Sequence, residues 1–210
     1  MKITKFGHSC FLAEEGEARI LFDPGDFSVL QNESAGVDAV IITHEHQDHF
    51  DPESLRTILA RNPNAKVITN NGVAAKLDRG VSYELLEDGQ STRVKGVLIE
   101  GFGKDHAIIY PSLPRVANTG YFVASRLFYP GDSFTTPQKA VEVLALPAFA
   151  PWSKIQETID YAKNVMPGAC FPVHDGILAR QDFVPRVVGS ILGSQGIKFV
   201  PLEIGKSTEF

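Results

Sequence analysis

Four short apolar runs in this sequence each lead into a residue that can do chemistry. "ARILF" ends on Asp23, "AVIIT" on His44, "LFYPG" on Asp132 and "ACFPV" on His174. Runs of this length, rich in Ile, Val, Leu and Phe, suit buried strands. If they are strands, each polar residue stands at the C-terminal end of one. Strands that finish on a common edge bring such groups together, and ligand sites in sheet proteins commonly lie there.

The rest of the chain supports a strand-rich reading. "KITKF", "CFLAEE", "KVITN", "VSYELL", "STRVKG", "VLIEGF", "HAIIY", "VEVLALP" and "IKFVPL" all read as strands. "GYFVAS" and "RLFYPGD" resemble a hairpin. "PESLRTILARN" is predicted to be a helix, with Pro52 in its first turn and Asp51 as cap. "GVAAKL" reads as a short helix. "KIQETIDYAKNV" places Ile155, Ile159, Ala162 and Val165 at helical spacing. "QDFVPRVVGSILGSQ" is mostly helical. No repeat or linker divides the chain, so residues 1–210 read as one domain of sheet layers with helices outside.

Composition narrows the function. The net charge of −5 is the wrong sign for a general nucleic-acid binder. No apolar run has the length of a membrane span. The start "MKITKFGHSCF" lacks the apolar stretch and cleavage site of a signal peptide. Cys10 and Cys170 have no CxxC spacing and read as buried free thiols. A cytoplasmic protein is therefore expected, with no membrane as partner and nucleic acid disfavoured.

"THEHQDH", Thr43 to His49, then holds three of the six histidines in seven residues. Side chains alternate along extended backbone, so His44 and His46 point to one side. Neutral imidazole and carboxylate suit zinc, iron and manganese. Two imidazoles at i and i+2 can share one ion, and Asp48 with His49 can reach a second. Two ions need further ligands, for which His106, Asp132 and His174 are the candidates.

This stretch resembles the T-H-x-H-x-D-H signature of the metallo-β-lactamase superfamily. "LFDPG" resembles the superfamily's first motif, "KDHAIIYP" offers its third-motif histidine, "YPGDS" its aspartate and "PVHDG" its final histidine. The resemblance implies an α+β architecture, an αββα four-layer sandwich with a dinuclear site at one edge of the two sheets. It implies a first metal on His44, His46 and His106, a second on Asp48, His49 and His174, and Asp132 bridging both. Asp23 would support the ligand loop by hydrogen bonds. Two divalent ions are the implied cofactors, zinc first, with manganese or iron also accepted by an all-nitrogen-and-oxygen set.

"GHSCF", "PRVANTGYFV" and "PAFAPW" resemble the branch that holds L-ascorbate-6-phosphate lactonase and related metal-dependent hydrolases. A cysteine replaces Asp132 in common zinc β-lactamases, so antibiotic hydrolysis is not implied. The expected activity is hydrolysis of a lactone or ester of a small, anionic metabolite by a metal-bridging hydroxide, with Asp48 accepting the proton. A phosphodiesterase and a diiron redox protein are the alternatives. His8 either contacts substrate or leaving group from the rim or is a hydrogen-bonded structural histidine. Trp152 either walls the pocket or fills the core. Asp175 either orients a ligand or shares a proton with it, or caps the next turn. Lys104 and Arg115 would draw an anion or merely solvate a face.

Overall fold

The computed structural model describes residues 1–180 and 182–210. In chain order it forms β1 (Lys2–Lys5), β2 (Phe11–Glu15), β3 (Ala18–Phe22), β4 (Ala39–Ile41), α1 (Pro52–Arg61), β5 (Lys66–Thr69), α2 (Asn71–Ala74) and β6 (Tyr83–Leu85). The second half follows with β7 (Ser91–Val94), β8 (Val97–Phe102), β9 (Gly120–Val123), β10 (Leu127–Tyr129), β11 (Val143–Pro147) and α3 (Ile155–Val165). It closes with β12 (Ala169–Val173), a π-helical segment Pro185–Gly189 running into α4 (Ser190–Ser194), β13 (Lys198–Phe199) and β14 (Ser207–Glu209).

Two seven-stranded sheets result, ordered β14-β1-β2-β3-β4-β5-β6 and β13-β12-β11-β10-β9-β8-β7. In each, one half is antiparallel and the other parallel. β14 through β3 pair antiparallel and β3 through β6 parallel. β7 through β10 pair antiparallel and β10 through β13 parallel.

The layering follows from strands that are apolar on both faces. Phe11, Ile20, Phe22 and Ile41 face Tyr121, Val123, Tyr129 and Phe171 in the core between the sheets. The alternate residues face outward. Leu12, Leu21, Val40 and Val67 pack on Leu55 and Ile58 of α1. Phe122, Phe128, Leu144 and Cys170 pack on Ile159 and Ala162 of α3 and Leu192 of α4. The order is helix, sheet, sheet, helix, the αββα sandwich of an α+β protein. α1 starts where its sequence indicates: the Asp51 carboxylate accepts from the backbone of Glu53 and Ser54 at 3.3 and 3.0 Å, and Pro52 follows. Both cysteines are buried and free. Among the described residues, no helix is long and apolar enough to cross a membrane.

Two expectations need correction. "HAIIY" is a loop: His106 and Ala107 donate to Val116 and Asp132, outside any ladder, and the apolar side chains after them face solvent. "IKFVPL" shortens to Lys198–Phe199, since Pro201 has no N–H to extend a ladder. The helix read over 181–195 is present from Phe183, with a π-helical stretch at Pro185–Gly189 running into α4, and its first residue, Gln181, lies outside the described residues. β14 was not legible beforehand; it pairs with β1.

Strand direction decides which loops gather. β1, β3, β4, β5, β8, β10, β11 and β12 finish at corresponding edges of their sheets. The loops that leave these ends carry His8, Asp23, His44–His49, Asn70, His106, Asp132, Trp152 and His174 in turn.

Candidate metal centre

Asp23 follows β3 with its backbone in the left-handed region, φ 41°. It is fully buried, yet its charge is well met. Oδ1 accepts from the Thr43 amide at 2.8 Å. Oδ2 accepts from the Thr43 hydroxyl at 2.7 Å, the Tyr129 hydroxyl at 2.6 Å and His49 Nδ1 at 2.7 Å. These bonds tie the end of β3 to the histidine loop after β4 and to β10 in the facing sheet.

They also fix tautomers. The Thr43 hydroxyl gives its hydrogen to Asp23, so it can only accept from His44 Nδ1, 3.1 Å away. His106 Nδ1 donates to the Ala107 carbonyl at 2.6 Å and His174 Nδ1 to the Phe149 carbonyl at 3.0 Å. His44, His49, His106 and His174 therefore all turn Nε2 inward with Nδ1 spoken for, the arrangement that orients imidazole ligands.

What they turn toward is crowded with electron pairs. Asp132 Oδ1 lies 3.2 Å from His49 Nε2, and its Oδ2 lies 3.3 Å from His106 Nε2 and 3.0 Å from His174 Nε2. Asp48 Oδ2 lies 3.3 Å from His174 Nε2 and 3.6 Å from His49 Nε2. The Nε2 atoms of His44, His49 and His106, and Asp132 Oδ1, are buried without a hydrogen-bond partner among the described residues. Buried polar atoms left unpaired are costly, and a shared cation is what this donor set fits. Three groups could each hold an ion: His44, His46 and His106; His8, Asp48, His49 and His174; and His44, His49 and Asp132, with ligand atoms in each within 4.8 Å of one another.

The electrostatics point the same way. Burial pushes the His44 imidazole well below its ordinary value, keeping it neutral. His174 goes up to about 9: burial opposes the charge, but Asp132 and Asp48 outweigh it. Asp132 and Asp48 lie below the carboxylate range despite burial, through the histidines around them. Two anionic carboxylates thus pull positive charge to this point, as protons or as metal.

His8 behaves differently. It is 0% exposed and lies beneath Asp48, so it is not on the rim where substrate contact was expected. The Gly176 amide donates to its Nδ1 at 3.1 Å, which puts the imidazole hydrogen on Nε2, 3.2 Å from Asp48 Oδ2. Burial lowers its pKa to about 4. His8 is a neutral donor to Asp48, with its lone pair taken up by the Gly176 amide, so it joins the ligand group of Asp48, His49 and His174 only by giving up one of these bonds. Asp175 is also corrected. It pairs with the buried Lys5 ammonium, which in addition donates to the Pro172 carbonyl at 2.8 Å, and reaches no ligand histidine. The pair fastens the loop after β12 to β1. Trp152 is half-buried in the cleft wall, and its Nε1 donates to Asp132 Oδ2 at 2.7 Å.

Sequence reading missed several supports. Asn118 accepts from the Asp132 amide at 3.0 Å and donates to the Pro130 carbonyl at 2.8 Å. Its signal was a polar residue inside an apolar stretch, "VANTGYFV". Gly25 permits close contact: a Cβ there would sit 2.0 Å from the Asp48 carbonyl carbon. Thr43 and Tyr129 looked like ordinary strand residues.

Comparison with known proteins gives one consistent picture. A family model described as "Beta-lactamase superfamily domain" matches residues 2–174. The Mycobacterium tuberculosis protein Rv0786c is 40% identical over 184 residues, 85% of this chain and 86% of its own length. A UPF0173 metal-dependent hydrolase of Aeropyrum pernix is 39% identical over 77 residues, 35% of this chain and 31% of its own length. Among solved structures, Igni18, a metallo hydrolase from Ignicoccus hospitalis, superposes with a TM-score of 0.75 at 22% identity, covering 100% of this chain and 98% of that one.

Proposed function

The chain belongs to the beta-lactamase superfamily, and from that premise we propose that it is a dinuclear metal-dependent hydrolase of a carboxylic ester or lactone of a small molecule. The observation that carries this reading is the set of buried, unpartnered atoms, Nε2 of His44, His49 and His106 with Asp132 Oδ1, gathered at one point. His44, His46 and His106 would hold one ion, Asp48, His49 and His174 the other, and Asp132 would touch both. Two divalent ions there, zinc first and manganese or iron next, would supply an activated water near neutral pH and polarise the substrate oxygen.

The chain's own residues do the rest. Asp132 is pinned through its amide by Asn118 and through Oδ2 by Trp152. Asp48 is held anionic, burial notwithstanding, by His174 and His8, and serves as the base that takes the proton. His8 fixes the Asp48 oxygen it donates to. Asp23 holds the ligand loop rigid, so bringing the ions to working distance costs no reorganisation. Phe27, Ile109 and Trp152 give the cleft apolar walls.

Elemental analysis of purified protein, with an absorbance spectrum, tests this, followed by a screen of aryl esters, small lactones and bis-aryl phosphodiesters. Two colourless metals per chain with turnover of esters or lactones are expected. Turnover confined to phosphodiesters would move the reading to a phosphodiesterase. Two irons with visible absorbance and no hydrolysis would replace it by a redox centre.

A further inference from the structure

The chain exposes a cluster of large apolar side chains beside its candidate catalytic centre. Ile108, Ile109, Tyr110 and Leu113 are 60%, 45%, 64% and 54% exposed, and Phe27 is 45% exposed. The loop from Ala107 to Val116 encloses a cavity of about 240 Å³ that opens onto His46 and His106. A second cleft of about 550 Å³ lies over Asp48, Asp132 and His174. The two share His46, His106 and Ile109, so they adjoin at the candidate metal ligands. A molecule with its reacting carbonyl at Asp132 can extend past Ile109 into the loop cavity.

The charges near this path are informative. Among the described residues, the cleft over the centre is lined by Glu45, Asp48 and Asp132 and by no lysine or arginine. The loop cavity has one cation, Arg115, but its Nε donates to the His106 carbonyl at 2.6 Å and its Nη1 lies 3.5 Å from Asp105. Lys104 lies 3.8 Å from Asp88, and Lys76 lies 3.8 Å from Glu45. Within the loop cavity, a phosphate or carboxylate at the far end of a substrate would meet apolar walls and one cation, Arg115, already engaged by the His106 carbonyl and Asp105.

We propose, building on the hydrolase reading, that the substrate carries an uncharged hydrocarbon or aryl tail seated along Phe27, Ile109 and the loop cavity. The preferred compounds are apolar esters or lactones, not phosphorylated or carboxylated metabolites. This reading is the lipophilic alternative to the anionic metabolite that the sequence suggests. Burying each methylene of such a tail strengthens binding about fourfold.

Trp152, the only tryptophan in the chain, lines this cleft, so its fluorescence reports occupancy without turnover. Metal-loaded protein would be titrated with butanamide, octanamide and suberic acid monoamide, which share a head group and differ at the tail. Octanamide is expected to bind at least roughly tenfold more tightly than either of the others, and Ile109→Asp to remove that preference. In parallel, kcat/KM for 4-nitrophenyl acetate, butyrate and octanoate is expected to rise along the series, mainly through KM. Equal binding of the three amides, tighter binding of the anionic tail, or a flat ester series would overturn the proposal while leaving ester hydrolysis standing. Selective octanamide binding without turnover of any ester would uphold the tail site and overturn the ester reading instead. A dimer that Ile109→Asp dissociates, with no saturable amide binding, would assign the apolar loop to a second copy and overturn the proposal.

Discussion

Four hydrogen bonds converge on the Asp23 carboxylate from Thr43, His49 and Tyr129, and truncating it leaves their donors buried and unmet. Asp23→Ala is expected to cost about 3–5 kcal/mol in urea denaturation. Asp23→Asn keeps the shape and removes the charge that orients His49. It should weaken metal binding about 10–100-fold in competition with a chromophoric chelator. His46→Ala tests the ligand assignment itself: metal and activity should vanish together while the circular dichroism spectrum is kept. Retained stoichiometric metal would refute the assignment. Trp152→Phe removes one donor to Asp132 and should lower kcat about tenfold or more with the fold intact. At this scale the motif residues could be read in advance because few other roles crowd three histidines and an acid together. Tyr129 and Thr43 could not, since their hydroxyl partners come from strands distant in sequence. His8 could be noticed but not placed, because its role depends on the Gly176 amide, 168 residues away.

The elements were legible wherever one local rule dominated. α1 combined a cap, a first-turn proline and a periodic apolar face, and its sequence located both ends within a residue. Asp51→Ala should destabilise the protein by about 1 kcal/mol in thermal denaturation, the usual cost of losing such a cap. The inner strands were equally plain, being apolar on both faces. The loop carrying His106 was misread for a physical reason: Ala107–Ile109 has the composition of a strand, while its side chains face solvent beside the cleft. β14 failed in the opposite direction. Its residues, Ser207–Glu209, are polar, and only the open edge of β1 makes them a strand.

Across the whole molecule, the candidate ligands are divided between the sheets. His44, His46, Asp48 and His49 leave the first, and His106, Asp132 and His174 leave the second. Ions held between them would fasten the layers to each other. Ligand concentration a thousandfold above Kd stabilises the folded state by about 4 kcal/mol. For a chain of this size that is on the order of 10 °C in Tm. Dialysis against a chelator should lower Tm by about that amount, and adding metal back should restore it. The arrangement of strands adds something that no stretch of letters discloses. From β14 to β6 and from β7 to β13, the two sheets run through the same sequence of antiparallel and parallel neighbours. The molecule is thus a topological duplicate, with its last strand filling the place in the first half that β7 fills in the second. His8 and His106 occupy equivalent exits in the two halves, and so do Asp23 and Asp132. His8 donates a hydrogen bond to Asp48 and Asp23 accepts from Thr43, His49 and Tyr129, while His106 and Asp132 turn toward the candidate metal position.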